Sequence, residues 1–253
     1  MPRFFIRQDQ INENTVTLKG DDAHHIARSL RMAVGDEMTV CDMQGYEYKC
    51  RISGFESDTF VYADIVSTLK ADTEPPCHIT LFQALSKGDK LDSVIQKAVE
   101  CGACRIVPFE SERCVVKVKG DSEERKTERR RRIAHEAAKQ CGRGVLPEVG
   151  ETVSFDRALA MAKEADVLLF CYEGDGTEPL GRILAEVFAE PDRTPSISVI
   201  VGSEGGFSID EAALAAERGL IPVNLGPRIL RCETAPAYVL SCISFAYELQ
   251  SNG

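Results

Sequence analysis

The chain has 253 residues, 43% of them apolar and 28% charged, enough to bury a core and too well mixed for a disordered segment. No apolar run approaches the ~20 residues of a membrane-spanning helix. The opening MPRFFIRQDQ lacks the basic, apolar and small-residue succession of an export signal, so a cytoplasmic protein with no membrane partner is expected. Ten irregularly spaced cysteines then read as reduced, mostly buried thiols. The net charge of −10 excludes coating nucleic acid by bulk positive charge. Locally the balance reverses. Arg113 to Arg143 carries 11 Lys or Arg against 5 Asp or Glu, a basic strip suited to a localised polyanion contact.

Up to about Lys70 the runs are short and β-like: FFIR, TVTLKG, EMTVCDMQGYEYKCRISGF and TFVYADIV, punctuated by Gly, Asp and Asn. One helical candidate, Asp22 to Arg31, interrupts them. They predict a small β-barrel over residues 1–70. Residues 71–76, with Pro75 and Pro76 amid polar neighbours, read as a linker. Residues 77–253 form a second domain, in which strand-like and helix-like runs alternate as in α/β domains with a mainly parallel sheet. HITLFQAL is a strand, and KLDSVIQKAVECG a helix with Leu91, Val94, Ile95, Ala98 and Val99 on one face, stopped by Gly102. CRIVPF is a strand; helices follow within DSEERKTERRRRIAHEAAKQCG and FDRALAMAKEA. DVLLFCYE and SISVIVG are strands flanking the helix LGRILAEVFAE. Ser208 and Glu211 form a capping box that opens a helix closed by Gly219. IPVNLG is the last strand and TAPAYVLSCISFAYELQ the last helix.

Two stretches carry chemistry. VGSEGGFS is a strand end that breaks into Gly202, Gly205 and Gly206, where missing Cβ atoms let a ligand reach backbone amides; a tight strand-to-helix turn explains it equally. NLGPRILRCETAPA sets Arg228, Arg231 and Glu233 beside another strand end, where charges pair with each other or meet a ligand. Neither a dinucleotide G-x-G-x-x-G nor a phosphate-loop motif is present. On a helical wheel Arg125, Arg129, Arg132, Glu136, Gln140 and Arg143 share one face, and Ile133, Ala134, Ala137, Ala138 and Cys141 fall opposite. That face is either solvated or a phosphate-binding stripe. Cys101 and Cys104 make a lone C-x-x-C with no second pair, so a metal site is not expected.

Three segments in order, LFQALSKGDKLDSVIQKAVECG, VGSEGGFSIDE and NLGPRILRCETAPA, together with MPRFF and EAAKQCGRGVLPEV, resemble SPOUT-class RNA methyltransferases, specifically the RsmE type that methylates uridine N3 in 16S ribosomal RNA. Ser203 stands where that family usually has proline, and Cys101 where a larger apolar residue is common. The resemblance implies a PUA-like β-barrel that binds RNA, followed by an α/β SPOUT domain with a parallel sheet and a C-terminal trefoil knot. It implies a homodimer and S-adenosyl-L-methionine as cofactor. The cofactor would lie against Val201, Gly202, Gly205, Gly206, Leu225, Gly226, Ile229 and Leu230, with Thr234 and Ala235 beside it.

Uridine N3 must lose its proton before or during attack on the methyl, so a base or a stabilising cation is needed. Glu204 and Glu233 are the candidate bases, and Arg231 and Lys87 the candidate cations. RNA contacts are expected from Arg3, Arg7, Arg28, Arg31, Lys90, Arg125, Arg129, Arg132, Gln140 and Arg143. The partner is 16S rRNA or an assembled small subunit, and no metal is required. Two other readings stay open: a knotted ribose 2'-hydroxyl methyltransferase, and a non-catalytic RNA-binding protein.

Overall fold

A computed structural model describes residues 1–117, 120–190 and 194–249. Its internal contacts divide the chain into residues 1–74 with 138–146, and residues 75–137 with 147–253.

The first unit is built on six strands: β1 (Arg3–Phe5), β2 (Ile11–Asn12), β3 (Thr15–Lys19), β4 (Glu37–Cys41), β5 (Tyr46–Ser57) and β6 (Phe60–Lys70). They form one sheet in the order β1-β4-β5-β6-β3-β2, antiparallel except for β1 on β4. Strict alternation decides which side faces in: Val16 and Leu18 on β3, and Val61 and Ala63 on β6, are buried between exposed or half-buried neighbours. The helical candidate forms α1 (Asp21–His24), whose helical path widens through Ser29 and buries Ala23 and Ile26 against the sheet.

A linear division at residues 71–76 omits what the structure adds to this unit, the return of residues 138–146. Glu74 holds the return. Its carboxylate accepts from the Arg143 guanidinium at 2.6 Å and from the amides of Gly144 and Val145 at 2.9 and 3.1 Å. Gly144 sits where a Cβ would lie 2.6 Å from that of Ala71, so only glycine lets the two backbones approach.

The second unit contains β7 (His78–Ala84), α2 (Lys90–Glu100), β8 (Arg105–Glu110), α3 (Gly120–Cys141, whose last turn belongs to the first unit), β9 (Glu148–Val149), β10 (Val153–Ser154), α4 (Phe155–Ala162), β11 (Val167–Cys171), β12 (Glu178–Pro179), α5 (Leu180–Val187), β13 (Ser196–Val201), α6 (Ile209–Glu217), β14 (Ile221–Asn224) and α7 (Ala235–Ser244). The sheet order is β10-β8-β7-β13-β11-β14-β12, with β9 also on β8, and every pairing is parallel. Its central strands β7 and β13 are near-continuous buried runs, as a parallel sheet covered on both faces requires. The expected face of α2, Leu91, Val94, Ile95, Ala98 and Val99, is the buried one.

β13 is laid between β7 and β11, both of which precede it in the chain. The chain therefore changes direction across the sheet at β13, and open parallel sheets form their ligand crevices at the carboxyl ends beside such a reversal. No described helix is long and apolar enough to cross a membrane.

Candidate active site

At the carboxyl end of β13 the chain makes the turn predicted from VGSEGGFS. Gly206 adopts φ +64° and its amide donates to the Ser203 carbonyl at 3.0 Å. A Cβ on Gly202 would sit 3.1 Å from the Phe207 ring and 3.3 Å from the Gly206 Cα. One on Gly205 would sit 2.9 Å from the Arg113 Cβ and 3.1 Å from its carbonyl. Phe207, tilted against Phe170 at 4.4 Å between ring centroids, packs under the turn beside Gly202. Ser208 and Glu211 form the expected capping box of α6. The second oxygen of Glu211 also accepts from the Glu112 amide at 2.8 Å, so the loop after β8 is tied to this turn. Two further bonds tighten the tie: Arg113 Nη1 donates to the Gly205 carbonyl at 3.2 Å, and Ser203 Oγ to the Arg113 carbonyl at 3.4 Å. Where the resembling family has proline, this chain thus has a hydroxyl that makes its own tether.

The second loop leaves β14 through Leu225 and Gly226, the latter at φ +95°, and runs to α7. There the Arg231 carbonyl accepts the amides of Thr234 and Ala235 at 2.8 and 2.9 Å, and Pro236 fits in the first helical turn.

Both loops wall one cleft of about 820 Å³. Nine of the ten residues proposed to touch the cofactor line it; Thr234 does not. Arg231, Glu204 and Glu233 also line it, whereas the Lys87 side chain does not and only its amide takes part, donating to Glu204 at 3.1 Å. Gly202, Gly205 and Gly206 line one wall, the missing Cβ atoms of the first two letting Phe207 and Arg113 pack against the turn, and Val201, Leu225, Ile229 and Leu230 supply apolar surface, a lining that fits a nucleoside bearing a charged tail.

Lys90, expected among the RNA contacts, has its ammonium 3.0 Å from Glu204 and 3.5 Å from Glu233, one carboxylate from each loop. The bond to Glu204 raises the lysine pKa above its ordinary value. Burial pushes Glu204 up, but its own backbone, Lys90 and the Lys87 amide outweigh this and leave it below the usual carboxylate range. Glu233 is lowered by the Cys232 thiol, its own amide and Lys90. Cys232 is pushed up to about 12 by burial and by these two carboxylates, so it stays a thiol. Both glutamates are therefore stable anions, weak as proton acceptors. Arg231 is exposed and has no side-chain partner among the described residues, which leaves its guanidinium open to the cleft.

Other predicted contacts divide by exposure. Arg125 and Arg132 are exposed on α3, and Gln140 is exposed in its last turn. Arg129 is exposed and paired with Asp92 at 2.7 Å. Arg143 contradicts the wheel: its side chain is 4% exposed and closed on Glu74. α3 ends at Cys141 and Gly142 turns at φ +84°, so the 100° step no longer applies to Arg143. Arg3 is likewise engaged, with Glu47 at 2.5 Å and 15% side-chain exposure. Arg7 and Arg28 pair with Asp9 and Asp58 while remaining exposed, and Arg31 is exposed at φ +52°.

Sequence reasoning missed Arg113, and Tyr172, Glu173 and Gly174 beyond β11, all of which line the cleft. The carboxyl end of DVLLFCYE was the available signal for the last three, because a strand neighbouring the reversal contributes its end to the same crevice.

Comparison with known proteins agrees with this geometry. Residues 73–244 match the RNA methyltransferase domain family, and residues 18–66 the RNA methyltransferase PUA domain. Ribosomal RNA small subunit methyltransferase E of Bacillus subtilis is 34% identical over 98% of both chains, and that of Synechocystis sp. 32% identical over 97% of this chain and 78% of its own. The crystal structure of ribosomal RNA small subunit methyltransferase E from Neisseria gonorrhoeae bound to S-adenosyl methionine superimposes with a TM-score of 0.83, at 30% identity over 98% of both chains. With a PUA-like first unit, a parallel α/β second unit and this cleft, the chain belongs to the RNA methyltransferase family that includes ribosomal RNA small subunit methyltransferase E.

Proposed function

We propose that this protein transfers a methyl group from S-adenosyl-L-methionine to N3 of one uridine in 16S ribosomal RNA, in the cytoplasm. The observation that carries the reading is the convergence of two loops, from β13 and β14, on one cleft at the carboxyl ends of a parallel sheet. When bound, the cofactor supplies an electrophilic methyl on a sulfonium. The chain's own residues do the rest. Val201 to Gly206 and Leu225 to Leu230 offer backbone and apolar surface to hold the donor. Arg231, cationic and open to the cleft, stabilises the negative charge that develops on the uracil ring as N3 loses its proton. Glu204 and Glu233 pair with Lys90 and sit below the usual carboxylate range, which makes them weak acceptors, so the proton leaves to solvent. The base must be unstacked or unpaired, because its N3 edge is occupied in a duplex.

RNA reaches the site through exposed cations, Arg125 and Arg132 on α3 and Arg7, Arg28 and Arg31 on the first unit. The C-terminal segment is threaded as a trefoil knot, and two copies pair through an apolar groove of about 840 Å³ between α5 and α7, where Phe188, Tyr238 and Phe245 lie. Sedimentation at the mass of a single chain would remove the dimer.

The test is product analysis. Purified protein, S-adenosyl-L-methionine carrying a labelled methyl, and either naked 16S rRNA or small subunits are combined, and the labelled nucleoside is identified by mass spectrometry. The label is expected on the uracil base at N3, with a rate that climbs with pH through the neutral range as uridine itself ionises. A methyl on the ribose 2'-hydroxyl, or RNA binding without transfer, would contradict the proposal.

A further inference from the structure

Lys90 begins α2, far in sequence from both cleft loops, yet its ammonium lies within 3.0 Å of Glu204 on the first loop and 3.5 Å of Glu233 on the second. No other described side chain forms an ion pair with a carboxylate of either loop. We infer that Lys90 is a positioning residue, a cationic clasp that sets the spacing of the two donor-binding loops by holding one carboxylate from each. This inference rests on the reading of the cleft as a methyl-donor site and deepens it.

Without the ammonium, two carboxylates sharing one site repel each other, and the loops that carry them separate. Glu204 would keep the Lys87 amide, and Glu233 the Cys232 thiol, both neutral donors. The other charged or titratable groups lining the cleft are Arg113, Arg228, Arg231, Glu173, Tyr172 and the thiol of Cys171. Asp89, which precedes α2, and Asp92 within it are held by Arg129. A proton can replace the lysine, because protonating either carboxyl removes the repulsion and lets the pair share a hydrogen bond. The native clasp behaves differently. Both carboxylates have lowered pKa values, so the paired state is fully formed above the ordinary carboxylate range and is lost only when pH falls through those lowered values.

The experiment is calorimetric titration of S-adenosyl-L-methionine into the full chain between pH 5 and 8. Lys90→Met should bind roughly tenfold more weakly than the native protein at pH 8 and recover as the pH falls toward 5, whereas native binding stays flat over that range. Lys90→Arg should restore most of the affinity. The double variant Lys90→Met/Glu204→Gln, freed of the repulsion, should bind more tightly than Lys90→Met at pH 8 and lose its pH dependence. A structural role alone would move affinity without this pH signature. Unchanged or tighter binding by Lys90→Met, or a loss that pH and Glu204→Gln do not repair, would overturn the clasp while native binding leaves the donor site intact. Failure of the native protein to bind the donor would overturn the reading beneath it as well.

Discussion

Gly205 is the residue on which the donor cleft depends most sharply. Its missing Cβ lets the turn lie against the backbone of Arg113, and a side chain there would fall 2.9 Å from the Arg113 Cβ and 3.1 Å from its carbonyl. Because backbone on both sides must move, Gly205→Val should push the β8 loop outward, break the Arg113 bond to the Gly205 carbonyl, and weaken donor binding by more than about tenfold, equivalent to ~1.4 kcal/mol. Calorimetry with the donor checks this beside a thermal melt, which should shift by only a few degrees; undiminished affinity would show that the turn does not shape the site. The glycine turn was legible in the sequence as a cluster at a strand end, where a ligand loop and a tight strand-to-helix turn explain it equally. The pairing of Lys90 was not, because a lysine at the start of an amphipathic helix reads as a surface cation open to RNA. Its partners come from positions 204 and 233, and only the sheet order brings these to it.

At the scale of elements, α3 separates what periodicity can and cannot predict. Of its predicted apolar side, Ala134, Ala137 and Ala138 are buried and Ile133 and Cys141 half-buried, while Arg125 and Arg132 are exposed. The pattern failed where tertiary context wins: Arg143 lies past the helix end in the segment that Glu74 recovers for the first unit. Arg130, about 140° from Arg125 on the wheel, is buried against Glu123 and Thr152. These roles predict opposite phenotypes. Arg125→Ala and Arg132→Ala should each weaken RNA binding across sequences and flatten its log–log salt dependence by about one charge, with stability unchanged. Arg143→Ala should leave that slope alone and cost about 2 kcal/mol in denaturant unfolding, since Glu74 loses its main counter-charge in a partly buried setting. A salt slope that flattens in Arg143→Ala at native stability would return that residue to the RNA surface.

Over the whole molecule, the alternation of strand and helix runs after residue 77 was sufficient to foresee a parallel α/β unit, and the short alternating runs before residue 70 a β-rich one. The order of strands was not foreseeable from the residues themselves. Nothing local in SISVIVG says that it will lie between HITLFQAL and DVLLFCYE, because register and neighbour choice among uniformly apolar strands are settled by packing of the complete sheet. That placement turns two separate glycine motifs into one cleft. It also explains why the ends of β8 and β11 contribute Arg113 and Tyr172 to it. The measurement that tests the resulting account most directly is mass spectrometry of 16S rRNA digests from cells with and without this protein. The account predicts loss of a single N3-methyluridine, restored by the native chain and not by Arg231→Ala; a digest unchanged by removal of the protein would contradict it.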